Sequence, residues 1–269
     1  MADNGTGTVM LPPAKTQEAF VHIGFAKAGL TRGRAFVLAV LAGAFVALGA
    51  SFMLMVRSDT SLAPSISLIL GGLAFCLGLF LVLVAGAELF TGNCLMVIGA
   101  LDGRYPFVRM VRKWAIVYAG NAVGALLVAV LLLASGFPGM QDGSVGEFAC
   151  SVASSKAALS PLVAFSRGIL CNVLVCLAVW MGSAGKTVCD KLAAAILPVV
   201  AFVVLGFEHS VANMFFLPLG MAIEAMWGAS SIALSGVLSN LLFVTLGNIV
   251  GGVAVAAAYW FVYGRDGRD

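Results

Sequence analysis

The chain has 269 residues, 61% of them hydrophobic and only 10% charged, with a formal net charge of +3 at neutral pH. A soluble domain carries nearer a quarter of its residues as charges, so this composition excludes an ordinary water-soluble globule and indicates a polytopic membrane protein. Long apolar runs, rather than alternating strands of roughly ten residues, exclude an outer-membrane barrel.

Residues 1–14 are polar and end in Pro12-Pro13, which predicts a disordered tail. Between Lys15 and Leu30, Phe20, Ile23, Lys27 and Leu30 recur at helical spacing, which predicts a short amphipathic helix on the membrane surface. Span 1 runs from Ala35 to Val56, about 22 residues without a charge and enough to cross a bilayer. The next apolar run, Leu62 to Leu101, has roughly 40 residues and one charge, Glu88. That is too long for one crossing and short for two joined by a polar loop. It predicts a discontinuous span 2: a long helix ending near Gly86, an irregular turn holding Glu88 to Asn93, then a half-helix. Non-helical backbone at that depth is tolerated only where it is buried in protein or lines a cavity.

After a basic loop, Asp102 to Lys113, span 3 is expected over Trp114–Ser135 and a polar loop over Gly136–Ser160. Span 4 runs from Pro161 to about Ala184, with Arg167 near its start and Asn172 inside it. Span 5 begins near Leu192 and is the second broken element, interrupted at Gly206-Phe207-Glu208-His209-Ser210-Val211-Ala212-Asn213. Span 6 covers Ile232 to Tyr263. The reading is an N-terminal segment 1–34 on the cytoplasmic side, one transmembrane domain 35–263 and a short tail 264–269.

A repeat is visible in two frames. Gly86-x-Glu88-x4-Asn93 recurs 120 residues later as Gly206-x-Glu208-x4-Asn213. Gly120-Asn121-x-x-Gly124 recurs 127 residues later as Gly247-Asn248-x-x-Gly251. Each half, about 35–135 and 161–263, holds three spans, and three is odd, so the halves have opposite orientation. Inverted repeats with broken helices at matching places point to a transport site at the bilayer midplane. The fold class expected is therefore all-α, with six transmembrane helices in an inverted repeat of three plus three and breaks in spans 2 and 5.

Of the 15 Lys and Arg, twelve fall on the side of both termini and three, Arg57, Lys156 and Arg167, on the other. This asymmetry places both termini in the cytoplasm. The four tryptophans fall near span ends, as interfacial anchors do. The six cysteines show neither an external disulfide framework nor metal-ligand spacing, and no cofactor or metal is expected.

The polar residues of the broken spans carry the functional argument. Glu88 and Glu208 each precede a half-helix, where a carboxylate can accept freed backbone N–H groups; a proton relay is the alternative. Asn93, Asn121, Asn172, Asn213 and Asn248 can each bond broken-helix backbone or a neighbouring span, and Thr91 lies inside the first turn. His209, if buried, is favoured in its neutral form and can donate to a passing anion or tie the two halves together. Lys156 and Arg167 suit either anion attraction or ordinary interfacial placement. The apolar residues Phe75, Leu79, Leu89 and Phe202 lie near the breaks and suit constriction or packing.

Four stretches resemble the formate/nitrite transporter family: Ala87-Glu88-Leu89-Phe90-Thr91-Gly92-Asn93, the run from Cys171-Asn172 to Trp180-Met181, Gly206-Phe207-Glu208-His209-Ser210-Val211-Ala212-Asn213-Met214, and Val244-Thr245-Leu246-Gly247-Asn248. The similar layout covers about residues 15–263. The resemblance implies an aquaporin-like fold and a homopentamer in a bacterial inner membrane, with one pore per protomer for small monovalent anions. It implies that Thr91 and His209 face each other in the pore. Phe75, Leu79, Leu89, Val175 and Phe202 would form apolar constrictions, and Asn172 and Lys156 would attract or hold the anion. Phe207 to Met221 looks most similar to the formate branch.

The function expected is a formate channel, passive or proton-coupled. A nitrite or hydrosulfide channel of the same family is the first alternative and a water- or glycerol-like neutral-solute pore the second. No enzyme and no nucleic-acid partner is indicated.

Overall fold

The computed structural model describes residues 10–264, which form ten α-helices and no strand. The N-terminal tail expected to be disordered lies mostly outside the described residues. Helix α1 spans Pro13–Gly29 and α2 Arg32–Arg57. Helix α3, Pro64–Leu81, opens on a proline, whose missing N–H costs nothing in a first turn. It widens into a π turn over Val82–Gly86 and stops. A 3₁₀ turn, Gly92–Met96, leads into α4, Val97–Leu101. Then follow α5, Phe107–Ala134; α6, Ser144–Ala157; α7, Pro161–Ala184; and α8, Val188–Val204. Helix α9 spans Ser210–Met226 and α10 Leu234–Tyr263.

The packing repeats in two halves. Helix α2 packs on α3 and α5, as α7 packs on α8 and α10; α1 lies on α4, as α6 lies on α9; α3 and α8 meet at the seam. The Gly-Asn-x-x-Gly frames sit at the tight crossings. A Cβ at Gly124 would collide with the Val40 carbonyl, and one at Gly251 with the Ile169 carbonyl. The close approach lets Asn121 and Asn248 reach across to the neighbouring helix.

Among the described residues five helices are long and apolar enough to cross a membrane, the second of them counted through its π turn: α2, Pro64–Gly86, α5, α7 and α10. Their outward faces expose large apolar residues, including Leu131 at 67% and Leu238 at 59%, which a bilayer rather than water would cover. Helices α8 and α9 have 17 residues each.

Four expectations are corrected. The segment Gly136–Ser160 is not a loop: it contains α6, whose buried face is Val145, Gly146, Ala149 and Ala153. Small residues on that face hide its helical period. Helix α5 starts at Phe107, with Pro106 at its N-cap, because the basic stretch holding Arg109, Arg112 and Lys113 is helical rather than a loop. Helix α1, expected as an amphipathic helix on the membrane surface, turns Phe20, Ile23 and Lys27 toward the protein, where they line one cavity together with Leu30. It docks on the protein through Thr16, Gln17, Phe20, Val21, Gly24 and Ala28. Phe20 stacks on Trp180 at 5.1 Å, and Trp180 on Tyr259 at 4.1 Å. Trp180 is therefore a packing residue, not an interfacial anchor. Trp114 is likewise buried, donating its indole N–H to the Asn93 carbonyl at 2.9 Å.

Candidate functional site

The two helix interruptions are built alike. In each, a glycine with positive φ, Gly86 at 81° and Gly206 at 66°, turns the chain out of helix. The next N–H reaches back five residues, Ala87 to the Val82 carbonyl at 3.2 Å and Phe207 to the Phe202 carbonyl at 2.9 Å. Glu88 N–H then donates to the Leu38 carbonyl, and Glu208 N–H to the Arg167 carbonyl, at 3.2 and 3.3 Å. One asparagine holds each exposed turn. The carboxamide of Asn121 accepts from Phe90 N–H at 2.9 Å and donates to the Ala39 and Glu88 carbonyls at 2.8 and 2.9 Å. That of Asn248 accepts from Ser210 N–H at 2.9 Å and donates to the Gly168 and Glu208 carbonyls at 2.8 and 2.9 Å. Backbone groups freed by the break are thus satisfied in a place where water is scarce.

Neither glutamate caps backbone, contrary to the first expectation. Glu88 accepts from Lys27 Nζ at 2.8 Å and from Asn93 Nδ2 at 2.7 Å. Glu208 accepts from Lys156 Nζ at 2.8 Å, from Asn213 Nδ2 at 2.6 Å and from Asn240 Nδ2 at 3.3 Å. Each carboxylate is a buried anion neutralised by one lysine and bonded by amides, which such burial requires. The lysines come from the last turns of α1 and α6. The repeat therefore begins with these short helices, earlier than the frames suggested.

The helix after the second break is capped by His209, whose Nδ1 accepts from Ala212 N–H at 3.1 Å. A backbone N–H can only donate, so Nδ1 carries no proton and the neutral ring bears its proton on Nε2. Nε2 lies 2.9 Å from Thr91 Oγ1 and donates to it. Among the described residues the Thr91 hydroxyl has no hydrogen-bond partner other than His209, so its proton is free to donate elsewhere. Both residues are buried, at 4% and 0% exposure.

Two cavities flank this pair. One of about 310 Å³ is lined by His209, Glu208, Lys156, Arg167, Phe75 and Phe202. The other, about 440 Å³, is lined by Lys27, Glu88, Leu89, Gly92 and Asn93. Thr91 joins them: it bonds a residue lining the first and is followed directly by Gly92, which lines the second. Phe75 and Phe202 meet edge to face at 5.7 Å, and Phe202 stacks beside His209 at 6.1 Å. Leu79, Leu89 and Val175 are buried at 5%, 3% and 2%.

Asn172 offers no free donor to a ligand. Its Nδ2 donates to the Thr91 carbonyl at 3.3 Å and to the Asn248 carbonyl at 2.6 Å, so it props the Thr91 turn from behind. Three residues at the site went unnoticed in the sequence as site residues: Lys27, Lys113 and Asn240. Lys113 Nζ donates to the Leu30 carbonyl, and Asn240 Nδ2 to the Lys156 carbonyl. Asn240, an amide inside the apolar run of α10, carried a signal that could have been read. Lys27 did so only through its equivalence to Lys156.

A family described as "Formate/nitrite transporter" matches residues 14–261. The formate channel FocA of Escherichia coli K12 is 36% identical over 96% of both chains. The nitrite transporter NirC of Salmonella typhimurium is also 36% identical, over 87% of this chain and 84% of its own. A solved pentameric formate channel with formate bound superposes with a TM-score of 0.76 at 36% identity, covering 86% of this chain and 97% of that one. An aquaglyceroporin from Plasmodium falciparum, 14% identical with a TM-score of 0.53 over 85% of this chain and 96% of its own, shares the fold. With this extent of match, the paired interruptions and the apolar helices, the chain is a multi-pass membrane protein that belongs to the formate/nitrite transporter family.

Proposed function

We propose that the protein is a channel for small monovalent anions, formate first among them, and that the anion passes at Thr91 and His209. The observation that carries this reading is a buried hydroxyl with a free proton, held by a neutral imidazole, between two cavities that each present a lysine. In this reading α8 and α9 make one interrupted crossing and α3 and α4 another, giving six crossings in all. Five protomers assemble, as in the solved formate channel. The membrane is a bacterial inner membrane with both termini cytoplasmic, from the lysine and arginine asymmetry.

An anion entering either cavity meets Phe75 and Phe202 on one side of the pair or Leu89 on the other. Losing water there costs several kcal/mol for a charge and far less for a neutral acid. A hydrogen bond from the Thr91 hydroxyl offsets part of that cost. The His209 ring serves first as a donor that orients Thr91. Giving up the Nε2 proton would leave an imidazolate unless Nδ1 gained one, and Nδ1 is held by Ala212 N–H.

Identity does not separate formate from nitrite, since both named relatives stand at 36%. The test is flux into proteoliposomes offered formate, nitrite, hydrosulfide, chloride or glycerol separately. Formate entry with chloride excluded is the expected result. Faster nitrite or hydrosulfide entry would move the substrate within the family, and glycerol entry without anion flux would overturn the anion reading.

A further inference from the structure

Arg57, which no part of the site above uses, is the last residue of α2 and lines the same cavity as Lys156 and Arg167. Three features distinguish it from an ordinary basic residue at a helix end. Its stem lies in a notch over α3: a Cβ at Gly71 would stand 2.5 Å from Arg57 Cδ and 2.6 Å from Cγ. Its guanidinium sits 5.0 Å from the centroid of the Phe148 ring, on α6. Its Nε is buried and has no hydrogen-bond partner among the described residues. None of the ion pairs among those residues involves Arg57 or Arg167, whereas Lys156 is already neutralised by Glu208 at 2.8 Å. The lysine beside the apolar ring is thus a balanced charge, and the net positive potential of this cavity comes from the two arginines.

We propose that Arg57 forms an anion-holding site at the mouth of this cavity, ahead of Phe75 and Phe202, and that its fork favours planar oxyanions over round ions. The site rests on the channel reading above. A guanidinium offers two parallel N–H donors that match a carboxylate or nitrite edge, while a lysine offers a point charge. Stacking on Phe148 and seating at Gly71 fix the plane of the fork, so little freedom is lost when an anion arrives. The lesser role open to Arg57, complementing the dipole at the end of α2, would be met as well by lysine.

The test is the concentration dependence of formate and chloride or hydrosulfide flux in proteoliposomes carrying wild type, Arg57→Gln or Arg57→Lys, each checked for its thermal midpoint. Loss of a focusing charge in Arg57→Gln should raise half-saturating formate roughly three- to tenfold while maximal flux is retained. Arg57→Lys should leave most of that rise for formate yet match wild type for any round ion carried. Unchanged half-saturation in Arg57→Gln, or full restoration of formate by lysine, would overturn the site while leaving the channel intact. Absence of any anion flux in wild type would overturn the channel reading and the site with it.

Discussion

The two interruptions share a scaffold and differ in what they put at its centre. Residues 120 apart correspond: Gly86 with Gly206, Glu88 with Glu208, Asn93 with Asn213. At the two positions proposed for passage the correspondence fails. Leu89 stands where the second half has His209, and Thr91 where it has Val211. The polar pair is made by one residue from each half, at non-equivalent places. The supporting shell departs as well. In the first half Lys27 bonds both Glu88 and the Asn93 carboxamide oxygen, each at 2.8 Å. In the second, Asn240 takes the place of Lys113, and the Asn213 oxygen is buried without a partner among the described residues. The two turns are held open by the same bonds, and the two positions that differ bring a hydroxyl and an imidazole into contact between them.

The largest effect expected is on the ion pairs. Lys156→Met leaves Glu208 charged and buried, which costs about 3–5 kcal/mol when one partner of such a pair is lost. The thermal midpoint in detergent should fall sharply and recover when Glu208→Gln is added. Lys27→Met should cost less, because the Lys27 and Glu88 side chains are 26% and 9% exposed against 16% and 4% for Lys156 and Glu208. Equal losses would show that burial does not set the difference. Next come the asparagines. Asn121→Leu and Asn248→Leu each orphan one N–H and two carbonyls, and each should cost about 3 kcal/mol. Here the halves should respond alike, and a loss confined to one would end the claim of equivalent scaffolding. Smaller in energy but sharper in function, Thr91→Val should cut formate flux about tenfold, the worth of one lost hydrogen bond of roughly 1.4 kcal/mol. Val211→Thr should leave flux within about twofold. Comparable losses from both would erase the functional asymmetry.

Much of this was legible in the chain because a charge in a long apolar run has few physical explanations. Glu88 and Glu208 marked both interruptions, and the glycine-asparagine frames marked the crossings that hold them. The partners of the glutamates were not legible. Lys27 lies 61 residues from Glu88, and Lys156 lies 52 from Glu208, on helices whose docking faces do not announce themselves. In α6 that face is built mostly from alanine and glycine, which carry almost no hydrophobic period. His209 was visible as a residue, but its duty as a helix cap was not, because capping depends on where the helix starts to within one residue.

That cap makes one substitution unusually informative. Asparagine can accept the Ala212 N–H as the imidazole does, yet cannot carry a donor to Thr91 at the same reach. Formate flux through His209→Asn in proteoliposomes therefore isolates the Thr91 contact from the fold. If the anion passes at this pair, the variant should assemble with a thermal midpoint close to wild type and carry formate at least about tenfold more slowly. Wild-type flux in the folded variant would contradict that account and leave His209 as a structural cap alone.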